Sequence, residues 1–338
     1  MSHHPHPRTV LFADGGLPPS IPVCDHYCGT EDRMRKSLAL QADLGPVFDV
    51  TFDCEDGAPV GGEAEHVRMA ADLLMSSENR FGRVGARVHP IDHPAFADDV
   101  DTLMAKAGAR LPYIMVPKPR DLDDAVQAIK AIDAAARKRK LKTPPAVHLL
   151  IETHGALRDV FAIAALPRVQ SLSFGLMDFV SAHQGAIPAS AMGLQGQFEH
   201  PLVRRAKLEI AAACHAAAKV PSHSVVTEFR QVKAIQAAAA RAAHEFGYTR
   251  MWSIHPSQVR PIVEVFAPTV AELDEAIGII GAAEGAAWAP IRYRDVLHDR
   301  ASYRYYWQVI ERARRTGQRL PAEIEQAWFG GEPPMPAA

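Results

Sequence analysis

The sequence has few cysteines for its length. Four occur in 338 residues, at positions 24, 28, 54 and 214, which is too few for a disulfide framework. We therefore expect a cytoplasmic protein stabilised by a large apolar core. Cys24, His26 and Cys28 could supply part of a zinc site, but no second Cys/His pair at a usable spacing completes four ligands. We interpret this segment as a loop with incidental cysteines.

The sequence also lacks an excess of charge and lacks long apolar runs. Its formal net charge is −2, which argues against a nucleic-acid or membrane-surface partner, since both require a basic field. It contains no apolar stretch of about 18 residues, and its first ten residues lack the apolar core of a signal peptide. We expect no membrane association.

Apolar runs alternate with segments of helical periodicity. The predicted strands are 9–13, 47–53, 84–89, 113–118, 146–152, 169–175, 220–226 and 250–255, and helices are predicted at 121–140, 200–219 and 228–247. Strands that are apolar throughout and are followed by helices indicate a parallel sheet covered on its outer face. Eight such units predict an α/β fold, a (β/α)8 TIM barrel over residues 9–266.

A doubly wound sheet is the alternative fold. It would usually carry a Gly-rich phosphate turn after its first strand, and neither G-x-G-x-x-G nor a P-loop occurs. Residues 1–8 are expected to form a flexible arm. Thr269 and Glu272 predict a capping box, and residues 267–338, rich in Arg, Tyr and Trp, predict a C-terminal helical extension. The extension either packs on the barrel or acts as a lid or subunit-bridging element.

Two acidic residues stand at strand exits, where packing gives them no role. Glu152 ends AVHLLIE, and Asp178 follows VQSLSFG 26 positions later. On adjacent parallel strands the two carboxylates would converge, and carboxylate oxygens suit a hard cation such as Mg²⁺. The structural alternative is that both begin the helices that follow the strands.

Other strand ends are polar as well. They carry Asp53, Glu55 and Asp56 (strand two), Arg87 (three), Lys118 (four), Ser222, His223 and Ser224 (seven), and His255 (eight). Any one could be a structural group, but charges at successive strand ends are costly to bury unpaired. Together they predict an anionic metal pocket. Arg87 can bind a carboxylate bidentately there, and the metal can polarise the carbonyl of a 2-oxo acid.

Seven short motifs, in order, resemble the HpcH/HpaI aldolase and citrate lyase β-subunit superfamily, especially its acyl-CoA lyase branch. They are R-x-x-L-F (8–12), D-x-E-D-G (53–57), A-R-V (86–88), P-K (117–118), L-I-E-T (150–153), F-G-x-x-D (174–178) and I-H-P-x-Q-V (254–259). Each motif alone is weak, and their order makes the resemblance specific. It runs from about residue 8 to residue 276.

The resemblance implies a TIM barrel with Mg²⁺ held by Glu152 and Asp178 and a substrate carboxylate bound by Arg87. Glu55 and Asp56 match an acidic pair near the thioester. The implied reaction is retro-Claisen cleavage of a 3-hydroxyacyl-CoA, of citramalyl, malyl, β-methylmalyl or citryl type, to an acyl-CoA and a 2-oxo acid. The implied assembly is a cytoplasmic homotrimer or hexamer.

The sequence departs from the family pattern in several places. Arg120 adds a cation after strand four, strand seven has Ser-His-Ser where relatives carry an acid, and the acidic turn after Asp178 is missing. The general base therefore stays open, with His223 and His255 as further candidates. Asp299 is a candidate because a C-terminal element in relatives brings an acid to a neighbouring subunit.

Arg8 and Lys118 are further candidates for substrate binding, and Arg33, Arg35 and Lys36 are available cations. Three other functions stay open. They are an aldolase acting on free hydroxy-oxo acids, a citrate-lyase β-like subunit that needs an acyl-carrier protein, and a non-enzymatic keto-acid binding protein.

Overall fold

A computed structural model of the protein describes residues 6–13 and 16–330. Eight parallel strands close into a barrel in sequence order, which confirms the predicted (β/α)8 fold. They are β1 (Cys24–Cys28), β2 (Phe48–Asp53), β3 (Val84–Arg87), β4 (Tyr113–Val116), β5 (Ala146–Ile151), β6 (Val169–Phe174), β7 (Val220–His223) and β8 (Arg250–Ser253).

Helices surround the barrel and build the C-terminal region. Those up to β7 are α1 (Pro7–Leu11), α2 (Glu31–Leu44), α3 (Glu63–Met75), α4 (Phe96–Lys106), α5 (Leu122–Lys138), α6 (His154–Arg158), α7 (Val160–Ala164), α8 (Leu176–Ser181), α9 (Gly196–Glu199) and α10 (Pro201–Ala216). The later ones are α11 (Val232–Ala240), α12 (Pro256–Phe266), α13 (Val270–Gly285), α14 (Arg300–Arg315) and α15 (Ala322–Phe329). A 3-10 turn spans Ala189–Met192, a π-helical segment Arg241–Glu245 extends α11, and β9 (Ile291–Tyr293) and β10 (Val296–His298) form a hairpin. Among the described helices, none is both long and apolar enough to cross a bilayer.

The first barrel strand does not lie where the sequence predicted it. The predicted strand at 9–13 is wrong, because residues 7–11 form α1, with Pro7 in its first turn. The first strand is instead β1, in the segment interpreted as a loop, and all five of its residues are buried. The R-x-x-L-F motif therefore lies on a helix, whereas the other seven predicted strands are confirmed with shifted ends.

A charged network lies inside the barrel and links its last strand to its first two. Arg250 on β8 is fully buried, with Nη2 2.8 Å from Asp25 Oδ2 and Nη1 2.7 Å from Asp49 Oδ2. The Thr51 hydroxyl donates to Asp25 Oδ1 at 2.7 Å, and the Tyr113 hydroxyl lies 2.7 Å from that of Thr51. Arg83 Nε also lies 3.2 Å from Asp49 Oδ1, so two guanidinium groups face the two carboxylates and each buried charge of this network is paired.

The C-terminal extension has a second hydrophobic core, separate from that of the barrel. It contains buried side chains from α13, α14 and α15, including Trp307, Trp328 and Phe329, together with Leu11 from α1. The predicted capping box of α13 is confirmed, since the Thr269 N–H donates to Glu272 at 2.7 Å and the Glu272 N–H donates to Thr269 at 3.2 Å.

Residues 6–8 of the expected arm are ordered against the C-terminal extension, at the edge of the second core. The His6 ring nitrogen Nε2 lies 2.7 Å from the carbonyl of Trp328, and Arg8 pairs with Glu311 at 2.5 Å. Residues 1–5 of that arm, and residues 331–338 of the predicted extension, lie outside the described residues. The β9–β10 hairpin was not predicted.

Substitution of Gly85 tests the packing inside the barrel. A Cβ at this position on β3 would lie 2.3 Å from Cε2 of Tyr113, so we expect Gly85→Ala to lower the free energy of unfolding by about 1–3 kcal/mol. Gly281→Ala in α13 is the control. A Cβ there meets no atom within 4 Å, so helix propensity should raise stability by about 0.5–1 kcal/mol. Urea unfolding measures both, and a Gly85→Ala protein as stable as the parent would contradict the packing.

Candidate active site

The carboxyl ends of β2 to β6 bring five carboxylates and two cations into one cluster. Its members are Asp53, Glu55, Asp56, Arg87, Lys118, Glu152 and Asp178. All seven were predicted from strand ends, and the structure brings them together through direct contacts. Because the acids outnumber the bases, the cluster is anionic, as the sequence predicted.

Asp53 holds Arg87 in place. Arg87 donates from Nε to Asp53 Oδ1 at 2.7 Å and from Nη2 to Asp53 Oδ2 at 2.5 Å, a bidentate pair, while Nη1 lies 3.0 Å from Glu55 Oε2. Asp53 in turn accepts N–H bonds from Glu55 and Gly57, and a Cβ on Gly57 would lie 2.2 Å from Asp53 Oδ2. Burial is the largest single effect and lowers the pKa of Arg87, but the charge and hydrogen bonds of Asp53, together with the charge of Glu55, raise the pKa overall.

Lys118 contacts most of the other carboxylates. Its Nζ lies 2.5 Å from Glu55 Oε1, 2.7 Å from Asp56 Oδ2 and 3.6 Å from Asp178 Oδ1. Its main-chain N–H donates to Glu152 Oε1 at 2.9 Å. Burial lowers the pKa of Lys118, but hydrogen bonds to Asp56 and Glu55 outweigh it, so the pKa is raised and the side chain is a fixed cation.

Glu152 is a buried carboxylate at the exit of β5. It is 2 % exposed, and a Cβ on Gly175 would lie 2.1 Å from its Oε2, so the glycine of F-G-x-x-D makes room for it. Burial, and then the charge of Asp178, raise the pKa of Glu152 well above its usual value. Asp178 lies in the first turn of α8, and its side chain is 45 % exposed.

Glu152 and Asp178 are suitable ligands for a magnesium ion for two reasons. Their carboxylate oxygens are the ligand type that Mg²⁺ prefers, and the cluster around them has a net negative charge. The residues that the structure describes contain no group of three or more His, Cys, Asp or Glu side chains able to hold a metal. Mg²⁺ commonly takes only one or two protein carboxylates and completes its octahedron with water and substrate oxygens. A pair of carboxylates is therefore sufficient for this ion.

A cavity of about 520 Å³ opens beside the cluster. Asp53, Asp56 and Arg87 line one part of it, and Arg33 and Lys36 of α2 line another. The sequence did not single out two aromatic lining residues, Tyr27 and Trp252, whose rings stack at 4.3 Å; the Arg87 guanidinium lies 5.5 Å from the Tyr27 ring. Recognising β1 as a strand would have pointed to Tyr27.

Of the two candidate histidines, only His255 reaches the cavity. It is the N-cap of α12, and its Nδ1 lies 2.8 Å from the Ser257 hydroxyl. His223 on β7 is fully buried, with Nε2 2.7 Å from Lys207 Nζ, and burial lowers its pKa well below the usual value. It is not among the residues lining the cavity.

The structure does not bring Arg8 or Asp299 to the cluster. Arg8 lies on α1 beside the second core, where it pairs with Glu311. Asp299 is the N-cap of α14, and its Oδ1 accepts the N–H of Ala301 at 3.0 Å and that of Ser302 at 3.4 Å. Both residues have structural partners within the chain.

An eight-stranded barrel with its charged residues gathered at the carboxyl ends of the strands is the architecture of a barrel enzyme. The family model for HpcH/HpaI aldolase/citrate lyase matches residues 34–256. The chain belongs to this family and is a carbon–carbon lyase.

The chain is similar to three known proteins in particular. An L-malyl-CoA/β-methylmalyl-CoA lyase of Cereibacter sphaeroides is 30% identical over 313 residues, covering 88% of this chain and 96% of that protein. The crystal structure of a citrate lyase from Burkholderia xenovorans is 55% identical, with a TM-score of 0.83, and covers 96% of this chain and all of that one. CitE from Mycobacterium tuberculosis, solved with magnesium, acetoacetate and coenzyme A, is 20% identical, with a TM-score of 0.65 over 87% of this chain and 98% of that one, and shares the fold.

The raised pKa of Glu152 predicts that its charge costs stability. Because its folded-state pKa lies above the unfolded value, the cost is absent below the unfolded pKa, grows as pH rises from there and is complete above the folded-state pKa. In EDTA at pH 7.5, Glu152→Gln should raise the free energy of unfolding by about 1–3 kcal/mol, and the gain should shrink towards pH 5. Urea unfolding at the two pH values measures this.

Glu65→Gln is the control, since this glutamate of α3 is exposed and loss of its surface pair with Arg68 should change stability by less than about 0.5 kcal/mol. A Glu152→Gln protein destabilised equally at both pH values would show that burial imposes no cost on the charge.

Proposed function

We propose that the protein cleaves a 3-hydroxyacyl-CoA thioester of citramalyl, malyl, β-methylmalyl or citryl type to an acyl-CoA and a 2-oxo acid. One observation carries the proposal. Arg87, held by Asp53, shares a cluster beside an open cavity with the carboxylates Glu152 and Asp178. The similarity to an L-malyl-CoA/β-methylmalyl-CoA lyase supports a CoA thioester as the substrate.

Arg87 is the group that binds the carboxylate of the substrate. A guanidinium has five N–H donors. Asp53 accepts two of them and Glu55 lies 3.0 Å from Nη1, so two donors remain for a ligand in the cavity that Arg87 lines. The bidentate contact with Asp53 and the nearby Tyr27 ring fix the plane of the guanidinium before substrate arrives. This preorganisation lowers the entropy cost of orienting the 2-oxo acid half.

Glu152 and Asp178 would hold a magnesium ion, which when bound supplies Lewis-acid stabilisation of the substrate oxygen that becomes the keto group.

Cleavage also needs an acceptor for the hydroxyl proton. Asp56 is the acid of the Glu55–Asp56 pair that lines the cavity, and its side chain is 58% exposed. Burial opposes its ionisation, but the hydrogen bond and charge of Lys118, together with the charge of Arg87, lower the pKa of Asp56 overall, so it is ionised at neutral pH. Glu55, between Arg87 and Lys118, orients these two cations.

Two features favour a CoA thioester over a free hydroxy-oxo acid. The cavity extends to Arg33 and Lys36, whose charges suit the phosphates of CoA. An aldolase of the alternative kind would use a histidine base. His223 is buried against Lys207, and His255, which lines the cavity, has its Nδ1 engaged in capping α12. A citrate-lyase β-like subunit acting on a carrier protein is the second candidate, favoured by the likeness to the Burkholderia citrate lyase.

We also propose that the protein is a cytoplasmic homo-oligomer, a trimer or hexamer, whose extension at 267–338 acts as a lid or bridges subunits. The support is the β9–β10 hairpin, on which Val296 is 56% and Leu297 80% exposed. Light scattering tests the assembly, and a monomer would refute it.

The substrate is tested with a panel of citramalyl-, malyl-, β-methylmalyl- and citryl-CoA. We expect Mg²⁺-dependent release of a 2-oxo acid from at least one member, abolished by EDTA and by Glu152→Ala or Asp178→Ala. Cleavage only of carrier-bound thioesters would favour the citrate-lyase β-like subunit. Cleavage only of free hydroxy-oxo acids would overturn the proposal in favour of an aldolase.

Arg87→Lys tests the carboxylate-binding role. The variant keeps the charge but loses the planar fork, so kcat/KM should fall about 10- to 100-fold, a loss of about 1.4–2.7 kcal/mol. Arg35→Lys is the matched control, because Arg35 is exposed and pairs with Glu31 on the same helix. Unchanged kcat/KM in Arg87→Lys would remove Arg87 from substrate recognition, provided that circular dichroism shows a folded protein.

A further inference from the structure

Lys118 contacts both halves of the acidic cluster. Its ammonium is shared by Glu55, Asp56 and Asp178, and its main-chain N–H binds Glu152. Of the described residues, it is therefore the one that touches both carboxylates assigned to the metal and both members of the acidic pair. Arg87, the other cation of the cluster, is committed to Asp53 and Glu55.

The backbone of Lys118 is held in an unfavourable conformation that permits these contacts. Its φ is 51°, a left-handed value, and it stands between Pro117 and Pro119. A side chain rarely adopts this region, and a following proline restricts the backbone further. Such conformations persist where the surrounding structure fixes them, which is typical of functional sites.

The three contacts of the Lys118 ammonium differ in length, and the contact to Asp178 is the longest. Those to Glu55 and Asp56 are 2.5 and 2.7 Å, whereas that to Asp178 is 3.6 Å. The longest contact is therefore the one to a carboxylate assigned to the metal. A divalent cation could take Asp178 from Lys118 without breaking the two shorter contacts, and the N–H bond to Glu152 would keep the lysine beside the metal.

We propose that Lys118 competes with the divalent cation for Asp178 and retains Glu55 and Asp56, so that Glu152 and Asp178 alone remain as protein ligands of the metal. Lys118 is thus a positioning residue. It weakens cation binding by its charge and withholds two further carboxylates from the metal. The inference rests on the metal pair of the proposed function and is independent of the substrate.

The test uses Mn²⁺ as the probe, measured by electron paramagnetic resonance and calorimetry on the full-length protein. The wild type should bind one Mn²⁺. Lys118→Met should bind it roughly tenfold tighter, because a positive charge a few ångströms away is removed. Lys118→Gly should behave in the same way, and since glycine accepts a positive φ, this variant keeps the backbone without strain.

Two controls separate charge from side-chain loss. Lys118→Arg retains the cation and should keep the wild-type affinity within about twofold. Lys106→Met removes the same charge from a surface pair with Asp72 and should leave Mn²⁺ binding unchanged.

Equal or weaker Mn²⁺ binding in Lys118→Met and Lys118→Gly would overturn the inference, as would a wild type that binds no Mn²⁺. A protein that shows tighter Mn²⁺ binding in these variants, yet cleaves no thioester in the wild type, would refute the proposed lyase and support the role of Lys118. The two failures are therefore distinguishable.

Discussion

Mutual repulsion among carboxylates is the constraint on which the rest of the site depends. Five acidic side chains converge at one end of the barrel, and three of them, Asp53, Glu55 and Glu152, are buried or nearly so. Such a cluster is stable only if cations are placed within it. Arg87 and Lys118 meet this need from adjacent strand ends, and the remaining negative excess is what makes the cluster suitable for a divalent ion.

The two cations meet the constraint in different ways. Arg87 binds Asp53 through a planar, bidentate contact that defines its orientation, as recognition of a carboxylate requires. Lys118 offers a compact charge that several carboxylates share at unequal distances. Arg87 is therefore suited to holding one fixed orientation. Lys118 is suited to changing its carboxylate partners when a ligand binds.

The sequence predicted the fold and the charged cluster well, because both depend on local patterns. Seven strands are largely apolar runs, and the residues of the charged cluster lie at or just beyond the carboxyl ends of five of them. The first strand was missed because β1 carries Asp25 and His26, which are buried only through partners distant in sequence. Asp25 pairs with Arg250 on the last strand, and His26 lies 2.7 Å from Ser253. The sequence proposed Arg8 as a substrate-binding residue, whereas its contact with Glu311, a residue of the extension, could not be read from its motif.

Participation of α1 in the second core has a consequence for synthesis of the chain. His6 contacts Trp328 across 322 sequence positions, and Leu11 packs in the same core as Trp328 and Phe329. The barrel strands are all complete by Ser253, so the barrel can form while this core is still unfinished. Helix α1 precedes the barrel strands in the chain, but its apolar side is covered only once α15 is present. Docking of α1 therefore requires α15, so the second core is completed only after the barrel strands have been made, and an uncovered α1 is open to misassembly until then.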